Sequence, residues 1–256
     1  MLRINFRFAT IVVSSICLPI LGVAQSTTGV TLVRQTLQAQ VGTASLPADL
    51  TMVGQITDKS GTRPLRIQIK GRDKARYEVG TGNQTIVSIL NGRSSWTGSA
   101  TSLKAVPEHA AVHRPAEIPF LDVIVEVDNA RFKAKDLGLD RVGVANLRHV
   151  AARLSDPTPQ QRFLNRPLDE VVDLFIDPGT NLVVRSQRLL TADDSMDFRV
   201  PLVRNFSDYR VVSGLVIPFR IATTVGTPNS GMYQYTWVFQ SVVVNQGIAD
   251  SVFQPR

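Results

Sequence analysis

DLTMVGQITDKSGTRPLRIQIK, residues 49–70, changes side-chain character at every second position. Met52, Gly54 and Ile56 alternate with Val53, Gln55 and Thr57, and Leu65, Ile67 and Ile69 alternate with Arg66, Gln68 and Lys70. A period of two sends one set to a buried face and the other to solvent, the pattern of half-buried antiparallel strands.

Downstream, short strands are predicted at 75–79, 85–91 and 94–98, separated by turn formers such as Gly80, Gly82, Asn83, Asn91 and Gly92. Upstream, Leu32, Leu37 and Val41 fall at near-helical spacing, so 31–41 reads as a short amphipathic helix stopped by Gly42. The stretch 102–130 breaks the strand rhythm with Pro107, Pro115 and Pro119 and reads as one or two short helices with loops. Strands resume near 144–154 and 171–176, and Asp177-Pro178-Gly179-Thr180 turns the chain into 181–191. The last strands fall at 197–203, 207–213, 215–224 and 232–244. Pro201 and Pro218 within them predict bulges or edge positions, because proline cannot donate to a ladder.

Consecutive strands joined by short turns make a meander whose apolar side needs a cover, and the helical material at 31–41 and 102–130 supplies it. With 14 prolines and 17 glycines in 256 residues, a long helical bundle is excluded. A composition 43% hydrophobic and 19% charged excludes a disordered chain. No linker or repeat divides the chain after its start, so 25–256 reads as one domain.

That start, residues 1–24, has the layout of a secretory signal: Arg3 and Arg7, an apolar run from Phe8 to Leu21, then Gly22, Val23 and Ala24 as a cleavage site. Export to the periplasm follows. Cys17 lies inside the apolar run after Ile16, where a lipidation signal wants a small residue, so the mature chain has no thiol, disulfide or cysteine nucleophile. Cleavage also removes two arginines and leaves 26 basic against 21 acidic side chains, a mild excess of +5. No concentrated basic stripe with stacking aromatics is written, and nucleic acid is not expected as a partner.

The C-terminal third resembles a known family. FSDYRVVSGLVIPFRI (206–221) carries Asp208-Tyr209-Arg210, a turn at Ser213-Gly214 and a strand with Pro218-Phe219; Asn245 follows a run of valines, and Asp250-Ser251-Val252-Phe253 closes the chain. With the opening helix, KARYEV (74–79), NGRSSW (91–96) and the proline-rich insert, these features resemble the LolA-like periplasmic lipoprotein carriers and their secreted relatives. The resemblance implies a mainly β fold: a strongly curved antiparallel half-barrel with short helices covering a concave face that receives acyl chains. RseB-like sensors share that architecture.

Reactive constellations are weak. His109 and His113 stand four apart without a third ligand, His149 is a lone strand histidine, and Asp193, Asp194 and Asp197 lack calcium-loop spacing. No G-x-S-x-G is present, and Gly80 to Thr85 lacks the last glycine of a dinucleotide loop. No metal, cofactor or catalytic residue is expected, and the chain reads as a non-enzyme.

Two rows remain. Tyr233, Tyr235, Trp237 and Phe239 share one strand face, with Val243 continuing the parity, and such a row either fills a core or lines a pocket wall. Together with Met52, Ile56, Leu65, Ile67, Ile69 and Tyr77 it is the candidate acyl-binding face. Lys70, Arg72, Lys74 and Arg76 share a second parity and are the candidate contact for a headgroup or partner. The expected function is a periplasmic binding protein for the acyl chains of a lipid or lipidated protein, with inner- or outer-membrane proteins as candidate partners. The alternatives are an envelope sensor of the same fold that binds a peptide or protein, and an envelope hydrolase.

Overall fold

The computed structural model describes residues 28–42, 44–107, 117–154, 171–192, 195–227 and 231–255. The 1–24 signal, the His109/His113 pair and Asp193/Asp194 lie outside them.

Among the described residues one helix, α1 (Gly29–Val41), precedes thirteen strands: β1 (Asp49–Asp58), β2 (Gly61–Lys70), β3 (Lys74–Val79), β4 (Ile86–Asn91), β5 (Ser94–Ser99), β6 (Ser102–Val106), β7 (Phe132–Val142), β8 (Ala145–Leu154), β9 (Val172–Ile176), β10 (Val183–Ala192), β11 (Ser195–Val212), β12 (Leu215–Thr227) and β13 (Gly231–Val244). They form one antiparallel sheet in the order β6-β5-β4-β3-β2-β1-β13-β12-β11-β10-β9-β8-β7. Every neighbour is a neighbour in sequence except β1 and β13, which pair directly. The two free edges, β6 and β7, are therefore consecutive in the chain, and the sheet is not closed into a barrel.

Curvature follows from the core. Laid flat, thirteen strands would spread over about 58 Å. Yet Ile67 and Ile69 of β2, Phe132 of β7 and Val172 of β9 join one buried cluster with Leu32 and Val33 of α1. Only a sheet bent around its contents brings these positions together.

The contents sit toward one half. Thr28 caps α1 with its hydroxyl, which accepts from the Thr31 N–H, and Gly42 ends it at φ 61°. The helix packs chiefly on β7, β8, β12 and the segment after residue 117. Contact is close enough that a Cβ on Gly29 would stand 2.6 Å from the Ala134 carbonyl. Beside it, Ile118, Phe120, Leu121, Val123, Ile124 and Val127 are all buried, within or flanking two short 3-10 turns, Pro119–Leu121 and Val123–Glu126.

Several expectations are corrected. The stretch read as a helical insert holds strand β6 at its start and only those turns within its described later part, and most of 118–127 is buried in the core rather than laid over it. Strand pairing resumes at Phe132, not near 144. Strand β7 escapes a period-two reading because the register slips between Asp136 and Gly138 and its distal half is exposed on both faces. The strands predicted at 197–203 and 207–213 are one, β11, because Asp208 bends the backbone at φ 53° without ending it. Both prolines sit in interior strands, at local irregularities: the β11–β12 ladder begins at Leu202↔Val225, just past Pro201, and Pro218 faces Tyr209 beside Asp208.

The chain end packs outside. Asp49 gathers residues 246–248 by accepting from the backbone N–H groups of Gln246 (2.8 Å), Gly247 (2.9 Å) and Ile248 (3.2 Å). Phe253 is then fully buried against Val87, Ile89 and Ile248 on the convex face of β4.

Candidate functional site

Strand β13 supplies the wall. Ile56 pairs with Trp237 and Gly54 with Phe239, and the alternating row turns Tyr235, Trp237 and Phe239 toward the concave side. Between Val53 and Gly54 the register slips so that Gln240 is skipped. Parity inverts there: Val242 is buried and Val243 is 39% exposed, which corrects the expectation that Val243 continues the row.

The rings form a continuous ladder. Tyr233 and Tyr235 lie 5.6 Å apart, Tyr235 and Trp237 5.6 Å, and Trp237 and Phe239 6.2 Å, with Tyr77 of β3 6.3 Å from Trp237. Tyr233 sits at the rim, and its hydroxyl donates to Asp58 at 2.9 Å.

In front of this ladder is a cavity of about 340 Å³, whose lining includes Ile56, Leu65, Tyr77, Tyr233, Tyr235 and Trp237. That volume falls at the small end of pockets that hold small ligands. It opens on the half of the concave face farther from the main contacts of α1. Of the ten residues expected on the acyl face, those six meet at the cavity. Met52, Ile67, Ile69 and Phe239 are buried in the cluster around α1 instead.

Sequence reasoning missed the other wall, Val79, Ser88, Leu90, Thr97 and Val106 from β3 to β6, and the polar group at its edge, Glu117. Glu117 Oε2 accepts from the Tyr77 hydroxyl at 2.8 Å, and its Oε1 stands 3.8 Å from Arg204. A single carboxylate directly before the apolar run IPFLDVIV was the available signal. Burial, reinforced by the Glu117 charge, pushes the Tyr77 hydroxyl well above its ordinary value. Burial also raises that of Tyr235, opposed by Arg204. Both phenols thus stay protonated near neutral pH, and that of Tyr77 donates to Glu117. Trp237, only 7% exposed, has an indole N–H without a hydrogen-bond partner among the described residues.

The basic row is placed otherwise than as one open patch. Lys70 and Lys74 hold Asp250 at 2.8 and 3.2 Å, and Lys70 also donates to the Ile248 carbonyl. Arg76 contacts Glu78 and the Val252 carbonyl, while Arg72 reaches Glu126. Three of the four clamp the C-terminal tail to the convex face. His149 stacks on Phe175 at 4.5 Å and bonds Asp173 at 2.9 Å. Among the described residues no three His, Asp or Glu side chains gather as a metal site.

No family model and no curated protein matches the sequence. Solved structures do match the fold. A domain described as an outer membrane lipoprotein-sorting protein from Vibrio parahaemolyticus superimposes with a TM-score of 0.56 at 10% identity, over 88% of this chain and 96% of that one. A LolA superfamily protein from Nitrosomonas europaea gives 0.52 at 9% identity, over 89% and 97%. A DUF1329 family protein from Desulfovibrio piger gives 0.53 at 12%, over 88% and 95%. The fold is LolA-like: a mainly β, open, curved antiparallel sheet that packs against helix α1.

Proposed function

We propose that the chain is a periplasmic binding protein that holds an acyl chain of a lipid or lipidated protein against the aromatic wall of β13, without covalent chemistry. The observation that supports this reading is the cavity itself: a part-open apolar space walled by Trp237, Tyr235, Tyr77, Leu65 and Ile56 within the curved sheet, on the side that α1 leaves less filled. Each methylene moved there from water contributes about 0.8 kcal/mol. Tyr77 and Glu117 add a polar edge that orients whatever the apolar wall retains. The fold shared with a lipoprotein-sorting domain agrees with such a role, as would export through a signal sequence at 1–24. Membrane proteins of the envelope would then deliver or receive the cargo.

Native mass spectrometry after gentle purification tests the proposal. A co-purifying lipid or acylated species, lost from Trp237 or Leu65 variants that remain folded, is the expected result. An empty cavity together with a captured peptide or protein would favour the sensor alternative.

A further inference from the structure

The hairpin at the β7 edge of the sheet combines three features that the cavity does not explain. The first is charge: residues 131–154 carry six Lys or Arg against two Asp. Arg148 is drawn toward Asp136 at 3.5 Å, but among the described residues no carboxylate lies within ion-pair distance of the exposed Lys133, Lys135 and Arg153. The second is exposed apolar surface: Leu137 is 45% exposed, Leu139 65% and Val144, at the tip, 98%. The third is a groove of about 510 Å³ in which Val30, Phe132 and Ala151 lie beside those three cations.

We propose that this hairpin docks the protein on the anionic surface of a lipid bilayer. Unpaired Lys and Arg near such a surface are attracted by its negative potential, and apolar residues among them enter the headgroup boundary. A protein partner fits less well. A stable protein interface buries about 800 Å² per side around a core depleted in charge. Here the apolar groups are strung along a projecting ribbon with cations between them. Strand β7 is also a free edge of the sheet, so docking there would bring that edge close to lipid.

Flotation with vesicles of pure phosphatidylcholine and of phosphatidylcholine containing phosphatidylglycerol tests the proposal. The full chain is compared with K133Q/K135Q/R153Q and, separately, with L139S/V144S. Since both variants keep the same first 24 residues, differences report the hairpin. Binding should require the anionic lipid and fall steeply with salt. The charge variant should lose about a hundredfold in partitioning, from about 1 kcal/mol for each cation. The serine variant should lose several-fold at unchanged thermal stability. Equal binding to both vesicle types, wild-type binding by the charge variant, or retention on an envelope protein rather than on vesicles overturns the proposal. Both variants should still bind a soluble fatty-acyl probe as the unaltered chain does, since none of their substituted residues lines the cavity, which separates this result from the fate of the cavity reading.

Discussion

Gly54 meets the backbone of Phe239 where the β1–β13 register slips, with no room for a side chain between them. A Cβ on Gly54 would stand 2.1 Å from the Val238 carbonyl oxygen and 2.7 Å from the Phe239 Cα. Strands β1 and β13 join the two ends of the meander, so this approach holds the wall of the cavity in register with β2. Gly54→Ala should cost about 1–3 kcal/mol through forced backbone displacement. The urea midpoint measures it, and an unchanged midpoint would mean that the two strands stand further apart.

Phe253 pins the chain end in a pocket of its own. It is fully buried with Val87, Ile89 and Ile248, in a cluster separate from the main core. Phe253→Ala should therefore cost about 3–5 kcal/mol, the range for truncating a buried aromatic. Because the cluster lies on the convex face, acyl-probe binding by the folded variant should not change. Chemical denaturation and a binding titration on the same sample separate the two effects.

The same tail has a pH-dependent clamp. The hydrogen bond from Lys70, then that from Lys74, holds the Asp250 carboxyl below its ordinary range. A carboxyl depressed in the folded state contributes its stability above the unfolded value of about 3.9 and loses it as pH falls through the lower folded value. Amide protection factors at 248–253 should thus drop in acid below about pH 4, relative to those of β1. Asp250→Asn should start with the lower protection and show no such step.

Much of this architecture was legible because the core face of a strand repeats every second residue. From Met52 to Ile69 that period survives, with Met52, Ile56, Leu65, Ile67 and Ile69 buried, whereas at the start of β1 Asp49 and Thr51 are buried along with Leu50. Where backbone irregularity shifts the parity, the sequence pattern misleads. The skip at Gln240 sends Val243 outward, and the slip before Gly138, with Leu139 exposed, hides strand β7 altogether. The aromatic row was visible as a local repeat. The Tyr77–Glu117–Arg204 group was not, since no local spacing records that a loop residue meets strands β3 and β11 across the inside of a curved sheet. Likewise Lys70, Lys74 and Arg76 do share a face, but only the path of the C-terminal tail reveals what they hold.

Trp237 decides between wall and filler. Its ring stands between Tyr235 and Phe239 and faces the cavity, and its indole N–H has no partner among the described residues. A side chain packed on all sides loses about 3–5 kcal/mol on truncation to alanine, whereas one bordering open space loses fewer contacts. Trp237→Ala should thus cost less than about 3 kcal/mol and yet weaken binding of a fatty-acyl probe at least about tenfold, which is 1.4 kcal/mol of affinity. In a Trp96→Phe background, where Trp237 is the only tryptophan, the probe should also shift its fluorescence. A full core penalty with no probe response would make the ladder structural and remove the cavity wall on which acyl binding rests.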